Sequence, residues 1–384
     1  MTRTASASPP GSDQVLYLEP PTRGIDGFTT HVMTYTTAVS LSSLLGRPFY
    51  LGWEVPASTP PEYASLPDFR DKYGFLLRSP RSLVSNLVDM PADRVWEYDP
   101  ARPNKLEIQL LHSHFVTTEE IKGKFEHTPI WDFFSIGRVG VTVEEMQQYD
   151  VVEWTHPSLA HLSVFYFLRR ADKEKLLKDA AVRFIAPIES LATEILAQLG
   201  SFYSVHTRLG DFVMNYEDYG IDRDIYRRSI ETIFPDASLP VVIATDALHQ
   251  RLMFSQIFEG RKIIFIDELI MDEFRGRYFE LPFRDFNVLT VLNQLIAAAG
   301  LNFIGTYRST FTGLIHRLRQ ERYGCKDFDF FPDRGIRDMF GPDMRLVPDQ
   351  RGFFDWNSYS RFTDEHKTLS WRREWDFDKT SIDF

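Results

Sequence analysis

Short apolar runs alternate with segments of helical period through the second half of the chain. After Gly200, "FYSVHTR" predicts a strand and "DRDIYRRSIETIF" a helix. "LPVVIATD" is almost wholly apolar, as a strand buried on both faces of a parallel sheet must be. "ALHQRLMFSQIF" predicts a helix, "RKIIFIDE" a strand, "DFNVLTVLNQLIAAAG" a helix, "LNFIGT" a strand and "STFTGLIHRLRQERYG" a final helix. Strands and helices that alternate over short links predict an α/β fold with a doubly wound parallel sheet. Ligands of such sheets bind outside the carboxyl ends of the strands, and Arg208, Asp246 and Ser309 each fall at such an end.

The first half opens with the same grammar. "QVLYLEP", 14–20, predicts a strand closed by Pro20 and Pro21, and "TRGIDG", 22–27, a glycine-bearing loop. Over 29–45, Val32, Met33, Thr36, Val39, Ser40, Ser43 and Leu44 recur at helical spacing, and Gly46 with Pro48 ends the helix. "PFYLGWEVP" predicts the next strand. Residues 57–150 mix prolines, short apolar runs and turn signals, whereas 158–199 is mostly helical in pattern. The expected organisation is a flexible tail over 1–13, an α/β domain over 14–165 and a helical connection over 166–199. A second α/β domain follows over 200–350, then an aromatic tail over 351–384 that packs back on the body.

Length supports two domains, since single cores stop growing at roughly 250–300 residues and this chain has 384. A formal net charge of −11 argues against a nucleic-acid partner, because phosphate neutralisation needs clustered Lys and Arg. One cysteine, Cys325, excludes an internal disulfide framework and a Cys-based zinc site. The sequence has no run of about eighteen apolar residues and no secretory signal, so a cytoplasmic protein without a membrane span is expected. A Walker-type phosphate loop is absent, which counts against a kinase or ATPase.

Two stretches carry the candidate chemistry. In "SVHTRLGDF", 204–212, an apolar lead-in runs into His206, Arg208, Gly210 and Asp211. Either Gly210 bends the chain so that Asp211 pairs with Arg208, or Arg208 receives an anion in its planar fork. In "GTYRSTFTGLIHRLR", 305–319, Ser309, Thr310 and Thr312 open a helix after an apolar strand. They serve there as ordinary N-caps or, with the first-turn amides and the helix dipole, as a phosphate site. His112 and His114 alternate on an expected strand, but no third metal ligand accompanies them. "DFD" at 327–329 and 376–378 reads as solvated acid, and "FIDELIMDEF" as an acidic loop edge.

"VHTRLGDF" resembles the H-x-R-x-G-D motif of the GDP-fucose-dependent fucosyltransferases. "VVIATDA" and "NFIGTYRSTFTGLIHRLR" are similar to the other two blocks of the protein O-fucosyltransferase branch. "YLEPPTRGIDGFTTHVMTYTTAVSLSSLLGRPFYL" is similar to its first strand, glycine loop and helix. The resemblance covers the opening fifty residues and roughly 200–325. It implies a GT-B glycosyltransferase with two Rossmann-like domains facing a cleft, which inverts the anomeric centre and needs no metal or other cofactor. The partners it implies are a nucleotide-sugar donor, GDP-fucose or a close analogue, bound mainly by the C-terminal domain, and a hydroxyl-bearing acceptor.

Carried over by position, Arg208 holds the diphosphate and assists its departure, and His206 contacts the donor beside it. Ser309, Thr310 and Phe311 supply hydroxyl and backbone contacts to the phosphates, with Thr312 beside them. Gly24 and Gly27 bring the N-terminal loop close to the donor, Asp211 braces the motif and Asp246 lines the nucleotide side. Two departures from the branch matter. Leu301 stands where the branch's "ADHFIG" block has an aspartate that reads guanine, so Asn302 or backbone reads the base, or the base differs. Thr22 and Arg23 follow Pro20–Pro21 where some relatives place a glutamate. A base, if one is used, is then Asp26 or Glu54, each of which has a structural alternative: an Asx turn for Asp26 and an ion pair for Glu54. A glycosyltransferase using another nucleotide sugar, a non-catalytic nucleotide-sugar-binding protein and an interaction protein docking through its aromatic tail remain as alternatives.

Overall fold

The computed structural model describes residues 15–18, 28–29, 31–32, 35, 39, 42, 46–47, 49–51, 82–89, 105–109, 147–155, 182–208, 230–231, 233–246, 251–306, 309–325 and 329–331. The chain forms two compact units, one holding the first four strands and the other the last five.

In the first unit, β1 (Val15–Leu18), β2 (Phe49–Leu51), β3 (Lys105–Gln109) and β4 (Val151–Thr155) make a parallel sheet in the order β2-β1-β4-β3. Leu16 pairs with Phe49, and Val151 with both Val15 and Lys105. Between β1 and β2 the described residues Phe28, Thr29, His31, Val32, Tyr35, Val39 and Ser42 are helical. Phe28, Val32, Tyr35, Val39 and Ser42 are buried at steps of three and four, the single-face spacing of a helix against a sheet. Gly46 ends this segment at φ 65°, a conformation costly for a side chain with a Cβ. Arg47 is buried just beyond it, and its Nη1 donates to the Tyr149 carbonyl at 2.7 Å.

The second unit is built on β5 (Tyr203–Thr207), β6 (Val241–Thr245), β7 (Ile263–Phe265), β8 (Phe303–Thr306) and β9 (Asp329–Phe331), all parallel in the order β7-β6-β5-β8-β9. Every residue of β5 and β8 is buried, as in strands covered on both faces of a parallel sheet. The polar side chains of β5 are hydrogen-bonded there: Ser204 to the Ala297 carbonyl, His206 to Thr312 and Thr207 to Thr245. The helices are α1 (Ala186–Leu199), α2 (Arg251–Ile257), α3 (Ile266–Glu273), α4 (Arg275–Glu280), α5 (Phe286–Ala298) and α6 (Thr310–Tyr323).

Helix α5 is the core element of this unit. Residues 287–289 and 291–298 are all buried, and α1, α3 and α6 pack around it against the sheet. Asp285 caps it, accepting from the Asn287 N–H at 2.7 Å. At the other end the buried guanidinium of Arg319 donates to the carbonyls of Ala298 at 3.0 Å and Leu301 at 3.2 Å, covering the negative end of the helix dipole.

One local expectation changes. "FIDELIMDEF" is not a loop edge: β7 stops at Phe265 and α3 begins at once. Ile266, Leu269 and Ile270 have the i, i+3, i+4 spacing of a buried helical face, and that periodicity outweighs the surrounding acid. Asp329 opens β9, where it pairs in register with Ile304.

Candidate functional site

β5 is the first strand of its sheet in sequence. The chain adds β6 and β7 on one side of it, then returns to add β8 and β9 on the other. The order therefore reverses between β5 and β8. A crevice outside the carboxyl ends at such a switch point is where doubly wound sheets take their ligands.

The residues that line this edge are joined by threonine hydroxyls. Thr207 Oγ1 donates to Thr245 Oγ1 at 3.0 Å, tying β5 to β6 just before Arg208 and Asp246. The Arg208 N–H donates to Thr306 Oγ1 at 2.9 Å, and that hydroxyl donates to the His206 carbonyl at 3.1 Å. Arg208 and Asp246 are half-buried at the ends of β5 and β6.

Helix α6 starts at the same edge. Ser309 takes the N-cap position, since its carbonyl accepts from the Gly313 N–H at 3.0 Å while its own N–H donates to the Thr306 carbonyl at 3.3 Å. Its hydroxyl does not cap the helix: Oγ is buried with no hydrogen-bond partner, on a residue 4% exposed. Leaving a buried hydroxyl unsatisfied costs about 1–3 kcal/mol. The first-turn amides of a 14-residue helix carry the positive end of its dipole. An orphaned hydroxyl at that end is the local chemistry of an anion site.

His206 supports α6 from below. Its Nδ1 lies 2.7 Å from Thr312 Oγ1, and its ring stacks on Phe311 at 4.3 Å between centroids, 15° apart in plane. Burial first, and the Arg208 charge second, lower the His206 pKa from 6.5 to about 3. A neutral imidazole therefore holds the first turn of α6 to the end of β5 at physiological pH. Gly305 permits the close approach, because a Cβ there would lie 2.1 Å from Thr312 Cγ2.

The structure thus brings Arg208, His206, Asp246, Ser309, Phe311 and Thr312 to the carboxyl edge, with the Thr310 backbone in the first turn of α6. Asn302 is elsewhere: it precedes β8 at the amino edge, and its Nδ2 donates to the Ile233 carbonyl. Leu301, at that same edge, is 53% exposed. Asp26, Glu54, Gly24, Gly27 and Asp211 lie outside the described residues, as do His112, His114 and the tail over 351–384. Gly305 and Thr306 are site residues that sequence reasoning missed, although a glycine inside an apolar strand is itself a sign of close backbone approach.

Among the described residues, no three His, Cys, Asp or Glu side chains are grouped to hold a metal ion. No described helix is long and apolar enough to cross a membrane.

No family model matches the chain, and no curated protein does. Among solved structures the chain is similar to POFUT1 in complex with GDP-fucose, at 13% identity and TM-score 0.49, over 85% of this chain and 99% of that one. It is also similar to the fucosyltransferase NodZ from Bradyrhizobium, at 12% identity and TM-score 0.45, over 87% and 98% of the two chains. A mutant of Arabidopsis thaliana FUT1 in complex with GDP matches at 10% identity and TM-score 0.38, over 82% of this chain and 70% of that one.

Proposed function

We propose that this chain is a GT-B glycosyltransferase that transfers fucose from GDP-fucose to a hydroxyl acceptor, with inversion at the anomeric carbon and without a metal. The observation that carries the proposal is the pairing of Arg208 with the N-terminus of α6 across the β5/β8 switch point, through Thr306. One wall then offers a guanidinium whose fork fits two phosphate oxygens. The other offers first-turn amides and the unsatisfied Ser309 hydroxyl. The sequence context of Arg208, H-x-R-x-G-D, supplies the substrate class.

In the proposed reaction the acceptor oxygen attacks the anomeric carbon on the face opposite the diphosphate. The new carbon–oxygen bond forms as the bond to the diphosphate breaks, and GDP leaves with the electron pair. The acceptor proton passes to a carboxylate, Asp26 or Glu54, or to the departing diphosphate. Arg208 acts where negative charge develops, so its contribution is larger in the transition state than in the bound donor. His206, neutral and buried, takes no part in proton transfer; it fixes the turn that carries the phosphate contacts.

The test is GDP titration of the folded chain together with GDP-fucose consumption. Arg208→Ala is expected to lower turnover by about 10²–10³-fold with little change in thermal midpoint. Near-normal turnover in that variant would reject the assignment. A thermal-shift comparison of GDP, UDP, ADP and dTDP sets the base, and a clear preference for another nucleotide would replace fucose by another sugar donor.

A further inference from the structure

In a parallel pair, a residue of one strand gives its N–H and its C=O to two alternate residues of the neighbour. Ser204 keeps this pattern, its N–H donating to the Asn302 carbonyl at 3.0 Å. The main-chain pairing of β5 with β8 covers Ser204↔Phe303 and Val205↔Ile304. One further repeat would hand the His206 carbonyl to the Thr306 N–H and the Arg208 N–H to the Thr306 carbonyl. In the structure both groups bond to the Thr306 hydroxyl instead, at 3.1 and 2.9 Å. The Thr306 carbonyl is turned to the Ser309 N–H at 3.3 Å.

The hydroxyl therefore stands between the two main chains as a spacer at the switch point, and the ladder ends there. Thr306 is 5% exposed, so it acts from beneath the edge and not on a ligand in the crevice. Through its hydroxyl and its carbonyl it bonds the main chain of Arg208, just past β5, and of Ser309, at the N-cap of α6. We infer that Thr306 is a positioning residue that sets Arg208 against the N-terminus of α6 at the spacing a diphosphate requires. The inference rests on the proposed nucleotide-diphosphate site.

The experiment measures GDP affinity by calorimetry on the full chain for the wild type, Thr306→Val, Thr306→Ser and Thr207→Val, with urea unfolding in parallel. Valine keeps the shape and removes the hydroxyl, whereas serine keeps the hydroxyl. Thr207→Val deletes the neighbouring strand-end hydroxyl, which bonds to Thr245 and not to Arg208 or Ser309. Thr306→Val is expected to weaken GDP binding by about 10-fold or more, since it leaves two main-chain groups without their partner. Thr306→Ser and Thr207→Val are expected to stay within about 3-fold of wild type, as neither removes that partner. If Thr306→Val does not fold, Thr306→Ala reads the same loss. Equal affinity in the valine and serine variants would overturn the inference, and so would an equal defect in Thr207→Val. A folded wild type that takes up no GDP would sink the nucleotide site itself, and this inference with it.

Discussion

Gly305 and Thr312 meet so closely that a methyl group cannot be placed between them. A Cβ on Gly305 would lie 2.1 Å from Thr312 Cγ2 and 2.8 Å from its Oγ1, the same oxygen that bonds to His206. Rotating the Thr312 side chain would give up its bond to His206 and still leave its Cβ at 3.0 Å, so relief draws α6 away from β8. Gly305→Ala is accordingly expected to cost about 1–3 kcal/mol of stability through overpacking. The same shift parts Ser309 from Arg208, so GDP affinity should fall as well. Urea unfolding and GDP titration of the variant check both, and wild-type values in each would show that α6 can yield here without consequence.

Arg208→Lys separates geometry from charge. The ammonium keeps the positive charge but loses the fork that spans two phosphate oxygens. Turnover of GDP-fucose is expected to drop by at least about 100-fold while the thermal midpoint of the apo chain holds. The proposed reaction needs no metal, so activity should persist after dialysis against EDTA. Complete loss in EDTA with recovery on adding a divalent cation would count against the mechanism.

Asp285 joins two distant parts of the sequence. Its Oδ1 caps α5 by accepting from the Asn287 N–H, while Oδ2 accepts from the Ser82 N–H at 3.0 Å and from the Ser82 hydroxyl. Asn287 Nδ2 closes the ring by donating to the Ser82 carbonyl at 2.7 Å. Removing the carboxylate deletes a helix cap and a charge-assisted anchor together. Asp285→Ala is expected to cost about 2–4 kcal/mol, and Ser82→Ala only about 1 kcal/mol. Urea denaturation resolves the two values; a cost below about 0.5 kcal/mol for Asp285→Ala would show that neither bond contributes.

The second sheet was legible where a segment carries its own period, and not at α3, α4 and β9, which are short and rich in charge or aromatic residues. β6 and β8 are mainly apolar runs, and α5 is buried almost all round, so local pattern and tertiary environment agree. β3 and β4 were not legible. "KLEIQ" and "VVEWT" are five-residue segments with a glutamate at the centre of each, which interrupts the apolar run, and their identity as strands comes from pairing with each other and with β1. The helix after β1 was found, but its buried face includes Phe28 and Tyr35, which the expected stripe omitted. Arg208 and Ser309 could be named because arginine after a strand and serine before a helix announce themselves. Thr306 and Gly305 could not be assigned roles, because each acts through a contact with a residue on another element.

Two buried titrating groups of the second unit act on stability in opposite directions. His206 is held at about 3 in the folded chain against 6.5, chiefly by burial. Between those values the unfolded chain binds a proton that the folded chain does not, so stability falls as the pH drops through this range. Asp267 is raised from 3.8 to about 6, again chiefly by burial, against the opposing hydrogen bond from Asn293. Between 6 and 3.8 the folded chain binds the extra proton, so stability rises as the pH drops. Each contribution approaches about 1.4 kcal/mol per pH unit, and from 6 down to 3.8 the two largely offset. Below 3.8 only the His206 loss continues. His206→Asn keeps a polar group near Thr312 without titrating, and is expected to gain stability relative to wild type steadily as the pH falls below 6.5. Asp267→Asn mimics the protonated acid, and should gain relative to wild type as the pH rises from 3.8 towards 6, then hold a constant difference. Urea unfolding at half-unit intervals from pH 4 to 7.5 measures both trends. Variant curves parallel to wild type would mean that these groups titrate alike in the folded and unfolded chains.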